Sequence, residues 1–459
     1  MTKLNNVIAS SFRDPSGSVF SLDGCVYRRV NDAYKQNYDH LMESGLYRSL
    51  VDAGLLIDHE EVQVDCVHAQ QAYKVLRPRQ LSFISYPYEW CFSQLKIAAM
   101  TSLKIQKVAL DFGMSLKDAS AYNIQFVRGR PVLIDTLSFE KYRQGQPWVA
   151  YRQFCQHFLA PLVLMSYTDI HLNQLLRIYI DGVPLDLASR LAPFRTWFKF
   201  GVLAHIHLHA KSQQKFADKG TKAASHRISR LAFAGLTNSL ETAVKKLSWK
   251  PKGTEWGQYY DQTNYCPAAM EHKRQLVAEL LDKIRPAVVW DLGANTGLFS
   301  SIAAEKGAQT ISFDIDPAAV EKNYLQCTKR GENSILPLLL DLTNPSPGIG
   351  WQNAERMSFM ARGPADTVLA LALIHHLAIS NNLPFDRIAD FFARICDSLI
   401  IEFVPKSDSQ VQRLLSTRED IFANYDQQAF EKAFCSYFAV KSRTKIRGSA
   451  RTLYFMTRK

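Results

Sequence analysis

Apolar and polar positions along the chain fall into two regimes. In the first, short alternating runs give way to helical spacing. Residues 18–22 and 25–30 alternate as strands do and flank Asp23–Gly24, a pair that predicts a two-residue hairpin turn. Apolar residues over 38–53 recur every three or four positions and predict a helix. Residues 73–76 and 81–86 read as strands, 89–112 as a long helix, and 124–126 with 131–134 as two more short strands. From 148 to 208 the spacing is mostly helical. In the second regime strands alternate with helices in βαβ order, which predicts an α/β domain with a largely parallel sheet. Its strands are expected at 287–292, 310–313, 335–340, 366–374 and 398–401.

A shift in composition separates the regimes. Residues 210–253 hold ten Lys or Arg against only Asp218 and Glu241. They read as a basic connector between an α+β domain at 1–209 and the α/β domain at 254–459. The length of 459 residues agrees with more than one domain. A net charge of +12 points to an anionic partner such as nucleic acid, a phosphorylated small molecule or anionic lipid. Much of that excess lies in the connector, which argues less for a nucleic-acid substrate. Hydrophobic residues make up 47%, enough to exclude global disorder. The eight cysteines are scattered with no Cys-x-x-Cys pair. A zinc ribbon is unsupported, and reduced thiols in a cytoplasmic protein are expected. The first residues lack the apolar core of a signal peptide, and no run nears the roughly 20 apolar residues of a membrane span.

The chemistry concentrates at the predicted strand ends of the second regime. Val289–Trp290–Asp291–Leu292–Gly293–Ala294–Asn295–Thr296–Gly297 runs from an apolar strand through a glycine turn into a helix. Glycine there lets a ligand approach the main chain. Gly-x-x-x-Gly lacks the phosphate-cradling glycine of a dinucleotide loop and the Lys-Ser/Thr of a P-loop, so the turn suits a nucleoside better than a pyrophosphate. Asp291 accepts from the ligand or braces the loop. Asp314 ends the second strand, placed to accept from both ribose hydroxyls, and Ile315 follows it. Asp316 before Pro317 is the expected N-cap of the next helix. Asp341, in Leu340–Asp341–Leu342, is placed to accept from an adenine amino group; His375–His376 and Glu402 close the next two strands. Tyr260, in an aromatic run before the first strand, is a candidate cover for the cofactor.

These motifs, in this order, resemble those of class I S-adenosylmethionine-dependent methyltransferases over residues 250–459. Trp351, the run 370–377 and Glu402–Phe403–Val404–Pro405–Lys406 resemble the bacterial nodulation-type group. The resemblance implies a seven-stranded Rossmann-like sheet whose last two strands, antiparallel, fit 440–446 and 451–457. It implies S-adenosyl-L-methionine as cofactor, with Asp291, Gly293, Ala294, Asn295, Thr296, Gly297, Asp314, Ile315, Asp341, Leu342 and Tyr260 around it. Methyl transfer asks for in-line approach and, for an O or N acceptor, a base. His375 or His376 is read as that base, with Glu402 behind it; a helix cap and a sheet-end carboxylate are the competing roles. Asn344–Pro345–Ser346–Pro347 departs from the box of amino-directed nucleic-acid methyltransferases and reads as a loop.

In the first half, Asp118, Asn123 and Asp135 carry the spacing Asp-x-x-x-x-Asn, a strand pair, then Asp. This resembles the protein-kinase-like fold, in which Asp118 would orient a hydroxyl and Asn123 with Asp135 would hold magnesium–ATP. The glycine-rich loop is missing, and Lys74 is poorly placed for the phosphate-pairing lysine. A turn cap is the competing role for Asp118. His205, His207 and His209 alternate as zinc ligands on a strand would, but a partly exposed helix face is favoured. The overall expectation is a methyltransferase acting on an O or N atom of a small molecule or glycan. The alternatives are a bifunctional kinase–methyltransferase, an RNA methyltransferase using the basic connector, and a non-catalytic pseudokinase scaffold.

Overall fold

The computed structural model describes residues 6–8, 11–65, 72–211, 228–251, 266–416 and 418–459. The chain forms two compact units: Met1–Lys250 with Gly348–Arg356, and Pro251–Pro347 with Met357–Lys459.

The N-terminal unit opens with a five-stranded antiparallel sheet of order β1-β2-β3-β5-β4. Its strands are β1 (Asn6–Val7), β2 (Gly17–Leu22), β3 (Cys25–Val30), β4 (His59–Glu61) and β5 (Lys74–Pro78). Asp23 and Gly24 take φ of 51° and 79°, the two left-handed residues a tight hairpin needs, and Leu22 faces Cys25 across it. The helix expected over 38–53 is two helices, Lys35–Glu43 and Leu46–Asp52, broken at Gly45 with φ 84°. No strand forms at 81–86. There the Gln125 side chain takes the place of a neighbouring strand, accepting from the Ser85 N–H at 2.9 Å and donating to its carbonyl at 2.8 Å. The helix Phe92–Asp111 leads to two small ladders: β6 (Met114–Leu116) with β9 (Phe139–Lys141), and β7 (Ile124–Val127) with β8 (Arg130–Leu133).

Part of the basic stretch belongs to this unit. The helix Arg230–Lys246 buries Phe233, Leu240 and Val244, and Lys96 caps its end by donating to the carbonyls of Lys245 and Leu247. Residues 212–227 and 252–253 lie outside the described residues. His205 and His207 sit on a helical segment, as favoured, but are 4% and 0% exposed rather than at the surface. His205 bonds Tyr151 and Ser239, and His207 bonds Ser189 and Thr196. These are packed, satisfied imidazoles, and no group of His, Cys, Asp or Glu among the described residues could hold a metal. The seven described cysteines are free thiols. No helix among the described residues is long and apolar enough to cross a membrane.

The C-terminal unit is a seven-stranded mixed sheet of order β12-β11-β10-β13-β14-β16-β15. Its strands are β10 (Val288–Leu292), β11 (Gln309–Asp314), β12 (Ile335–Leu339), β13 (Ala365–Ala370), β14 (Cys396–Phe403), β15 (Phe438–Lys445) and β16 (Thr452–Arg458). The first five run parallel, and β16 inserts antiparallel between β14 and β15. This is the expected Rossmann-like methyltransferase sheet, with the expected antiparallel pair at its end. Central strands read as continuous apolar runs because helices cover both faces. Val277, Leu281, Ile302 and Ala303 from the helices pack on Val289, Leu369 and Ile400. On Trp290, Phe359 packs at a tilt of 42°, 5.0 Å between ring centroids. The chain leaves β10 toward β11 on one side and returns to β13 on the other, so the crevice where ligands of such sheets bind opens at the carboxyl end of β10.

Candidate active site

The turn after β10 is folded over the end of β11. The N–H groups of Gly293 and Ala294 both donate to the Phe313 carbonyl at 2.9 Å. Gly293, Asn295 and Gly297 take φ of 76°, 51° and 82°. A Cβ on Gly297 would lie 2.5 Å from Asn323 Oδ1, so close packing as well as conformation demands glycine. Gly293 is exposed and presents bare main chain to the crevice. The Thr296 N–H donates to Asn295 Oδ1 at 2.9 Å, locking the turn from within.

Two buried carboxylates tie this turn down. Asp291 accepts from Ser300 Oγ at 2.6 Å, and so braces the first turn of the helix Leu298–Glu305. Asp314 accepts from the Asn295 N–H at 2.7 Å and from the Asp316 N–H at 2.8 Å. Burial pushes both carboxyls up to about 6, against the hydrogen bonds that favour their charged forms. Asp316 caps the helix Pro317–Arg330 through the N–H groups of Ala318 and Ala319, as its place before Pro317 predicts. Ile315 is 56% exposed, an apolar side chain held open at a strand end. Asp341 accepts from the N–H and hydroxyl of Thr343 at 2.8 and 2.6 Å, and Leu342 is half-buried beside it. Tyr260 lies outside the described residues. A nucleoside fits this set: carboxylates for ribose and base amino groups, an open apolar side chain for the base, and glycine main chain for close approach. Asn344–Pro345–Ser346–Pro347 is a loop, as read.

The strand expected at 366–374 stops at Ala370. Ala372 takes φ 51°, and its N–H donates to Glu402 Oε2 at 2.8 Å instead of to a neighbouring strand. Leu373 approaches the glycine turn, its Cδ1 lying 3.4 Å from where a Cβ on Gly293 would sit. His375 and His376 follow, ring centroids 4.2 Å apart. His375 is 2% exposed, and its Nδ1 has no hydrogen-bond partner. Burial, reinforced by neighbouring positive charge, holds it well below the usual imidazole range; burial lowers His376 to about 4. Neither is the untuned base that neutral-pH histidine chemistry suggests.

Glu402 is fully buried and does not simply stand behind the histidines. It accepts from Lys273 Nζ at 2.6 Å and lies 3.6 Å from Arg451, which forms a two-point bond with Asp408 at 2.7 and 3.1 Å. Through the Ala372 N–H this network grips the loop that carries His375. Sequence reasoning missed Lys273. A signal for it exists: it shares the helix Pro267–Ile284 with Ala269, Val277 and Leu281, and these buried positions recur every four residues, so a charge falls on an apolar stripe.

No family model matches the chain. It is 39% identical to the nodulation protein NoeA of Rhizobium meliloti (strain 1021), over 98% of this chain and 96% of that one. The chain belongs to the NoeA family. Among solved structures, magnesium protoporphyrin IX methyltransferase from Synechocystis PCC 6803 is 17% identical, with a TM-score of 0.31, over 44% of this chain and 93% of its own. The N-methyltransferase NodS from Bradyrhizobium japonicum WM9 is 12% identical, with a TM-score of 0.30, over 42% and 97%. Strand order, not these likenesses, gives the C-terminal unit of this NoeA-family chain the class I methyltransferase fold.

In the N-terminal unit of the NoeA-family chain, Asp118, read as orienting a hydroxyl, and Asn123 and Asp135, read as holding magnesium–ATP, are engaged locally. Asp118 accepts from the Ser120 N–H and from Gln153 Nε2 at 2.9 and 2.8 Å, the turn-cap role. Asn123 reaches Ser138 Oγ at 3.4 Å. Asp135 accepts from Ser138 Oγ and the Leu137 N–H, and the Arg28 guanidinium lies 3.0 Å from it.

Proposed function

We propose that this NoeA-family chain transfers a methyl group from S-adenosylmethionine to an oxygen or nitrogen of a glycan or small-molecule acceptor. The observation that carries this reading is the buried, unpartnered Nδ1 of His375 on the loop that adjoins the glycine turn. A buried polar nitrogen without a partner is costly unless a ligand supplies one. S-adenosylmethionine, when bound, supplies an electrophilic methyl group on a sulfonium. The chain's own residues do the rest. Asp314 holds ribose hydroxyls through its remaining lone pairs, Asp341 takes an amino hydrogen of the base, and Ile315 covers the base. His375, neutral at pH 7, accepts a hydrogen bond from the incoming nucleophile at Nδ1 and so orients it. A weak base suits this task, because the proton needs to leave only as the new bond forms.

The relative's description as a nodulation protein supports a role in nodulation. A glycan or small molecule is favoured over nucleic acid because the helix 230–246 of the basic stretch belongs to the N-terminal unit, not to the strand ends. That unit we read as an accessory module for the acceptor, without phosphotransfer. The support is Arg28, whose guanidinium stands against Asp135 where magnesium would have to bind. Isothermal titration tests the core of the reading: S-adenosylmethionine binds the wild type, and Asp314→Ala or Gly293→Arg abolishes the heat. Wild-type heat in either variant overturns it.

A further inference from the structure

The segment at 193–200 of the N-terminal unit presents an unusual surface. Phe194, Phe198 and Phe200 are 75%, 78% and 78% exposed. Scattered single apolar residues at a surface are ordinary; three phenylalanines within seven positions are not. Their exposure is enforced by what lies under them. Thr196 is fully buried, and its hydroxyl bonds His207 Nε2 at 2.9 Å and the Pro193 carbonyl at 2.7 Å. Trp197 stacks on the His207 ring at 4.3 Å between centroids, 8° from parallel. His207 in turn bonds Ser189 at 2.7 Å. With the polar and indole side chains pinned inward, the three phenyl rings have no route to the core.

Along the chain, the charge around them is of one sign. Arg195 and Lys199 alternate with the phenylalanines and are exposed, and Lys211 lies 4.6 Å over the Trp197 ring. Residues 187–217 contain no Asp or Glu. We propose that this aromatic and basic surface docks the N-terminal unit on an anionic lipid membrane. Phenyl rings partition into the headgroup boundary while flanking Arg and Lys meet lipid phosphates. Phe194 and Phe198 pack edge-to-face, 5.5 Å between centroids and 84° apart, which covers a ring face that base stacking on RNA would use. The docking is peripheral and needs no spanning helix.

Co-sedimentation of the full chain with sucrose-loaded vesicles tests the proposal. The wild type pellets with vesicles of phosphatidylcholine mixed with phosphatidylglycerol, far less with phosphatidylcholine alone, and less as salt rises. The triple variant Phe194→Ser, Phe198→Ser, Phe200→Ser loses at least about tenfold in partitioning. Arg195→Gln and Lys199→Gln each lose about fivefold on anionic vesicles. Melting curves of all variants match the wild type, because the changed side chains are exposed. Failure of the wild type to pellet, or equal pelleting of the triple variant, overturns the proposal. So does a triple variant that loses only self-association in light scattering, or only RNA retention on a filter; those outcomes assign the surface to a second copy or to RNA.

Discussion

Under the proposed role of Asp314 as ribose acceptor, one residue's environment sets a measurable property. Its carboxyl, raised to about 6 by burial, must be ionised to accept from ribose hydroxyls. Affinity for S-adenosylmethionine is therefore expected to hold from pH 8 down to about 6 and then fall, by about tenfold at pH 5. Asp314→Asn should bind more weakly at neutral pH and lose that inflection; titrations that keep it would assign the effect elsewhere. The same shift bears on stability. Asp291 and Asp314 bind protons more tightly folded than unfolded, so the unliganded protein loses stability as pH rises from about 4 to 6. For His375, replacement by Gln should leave cofactor affinity unchanged and lower kcat by about a hundredfold. An unchanged kcat would remove His375 from the acceptor site. Asp314 and the glycines were legible in the sequence because backbone geometry at a turn limits residue choice locally. Lys273 was not, because its partner Glu402 lies 129 positions away.

At the scale of elements, the loop after β13 is held by a charge network rather than by its own sequence. Glu402→Gln leaves Lys273 and Arg451 facing each other with no carboxylate between, and should cost about 3–5 kcal/mol in denaturant unfolding. Adding Lys273→Met should recover much of that loss, since removing both buried charges costs less than stranding one. Strictly additive losses would mean the two do not interact. Elements with strong local signals matched their sequence reading: the Asp23–Gly24 hairpin, the helix Phe92–Asp111 and the parallel strands. Apart from the helix broken at Gly45, those that differ were decided by distant side chains. Gln125 replaces a strand neighbour at Ser85, and Glu402 ends β13 early by capturing the Ala372 N–H.

At the scale of the whole molecule, thermal shift separates the functions of the two units. S-adenosylmethionine should raise the melting temperature, and magnesium–ATP should leave it unchanged. A rise with magnesium–ATP that disappears in Asp135→Ala would restore phosphotransfer to the N-terminal unit. The sequence by itself determined the βαβ regime, the glycine turn, the strand-end acids and the positions of both histidines, since each rests on hydrophobic period or on residue types that a few neighbouring dihedral angles require. Only the tertiary structure decided the partners of those residues. The Arg28–Asp135 pair, the Lys273–Glu402–Arg451–Asp408 network and the outward set of three phenylalanines over a pinned Thr196 and Trp197 each join or expose groups according to packing. Burial and pairing are properties of the folded surroundings, and a residue's own type and neighbours in sequence do not carry them.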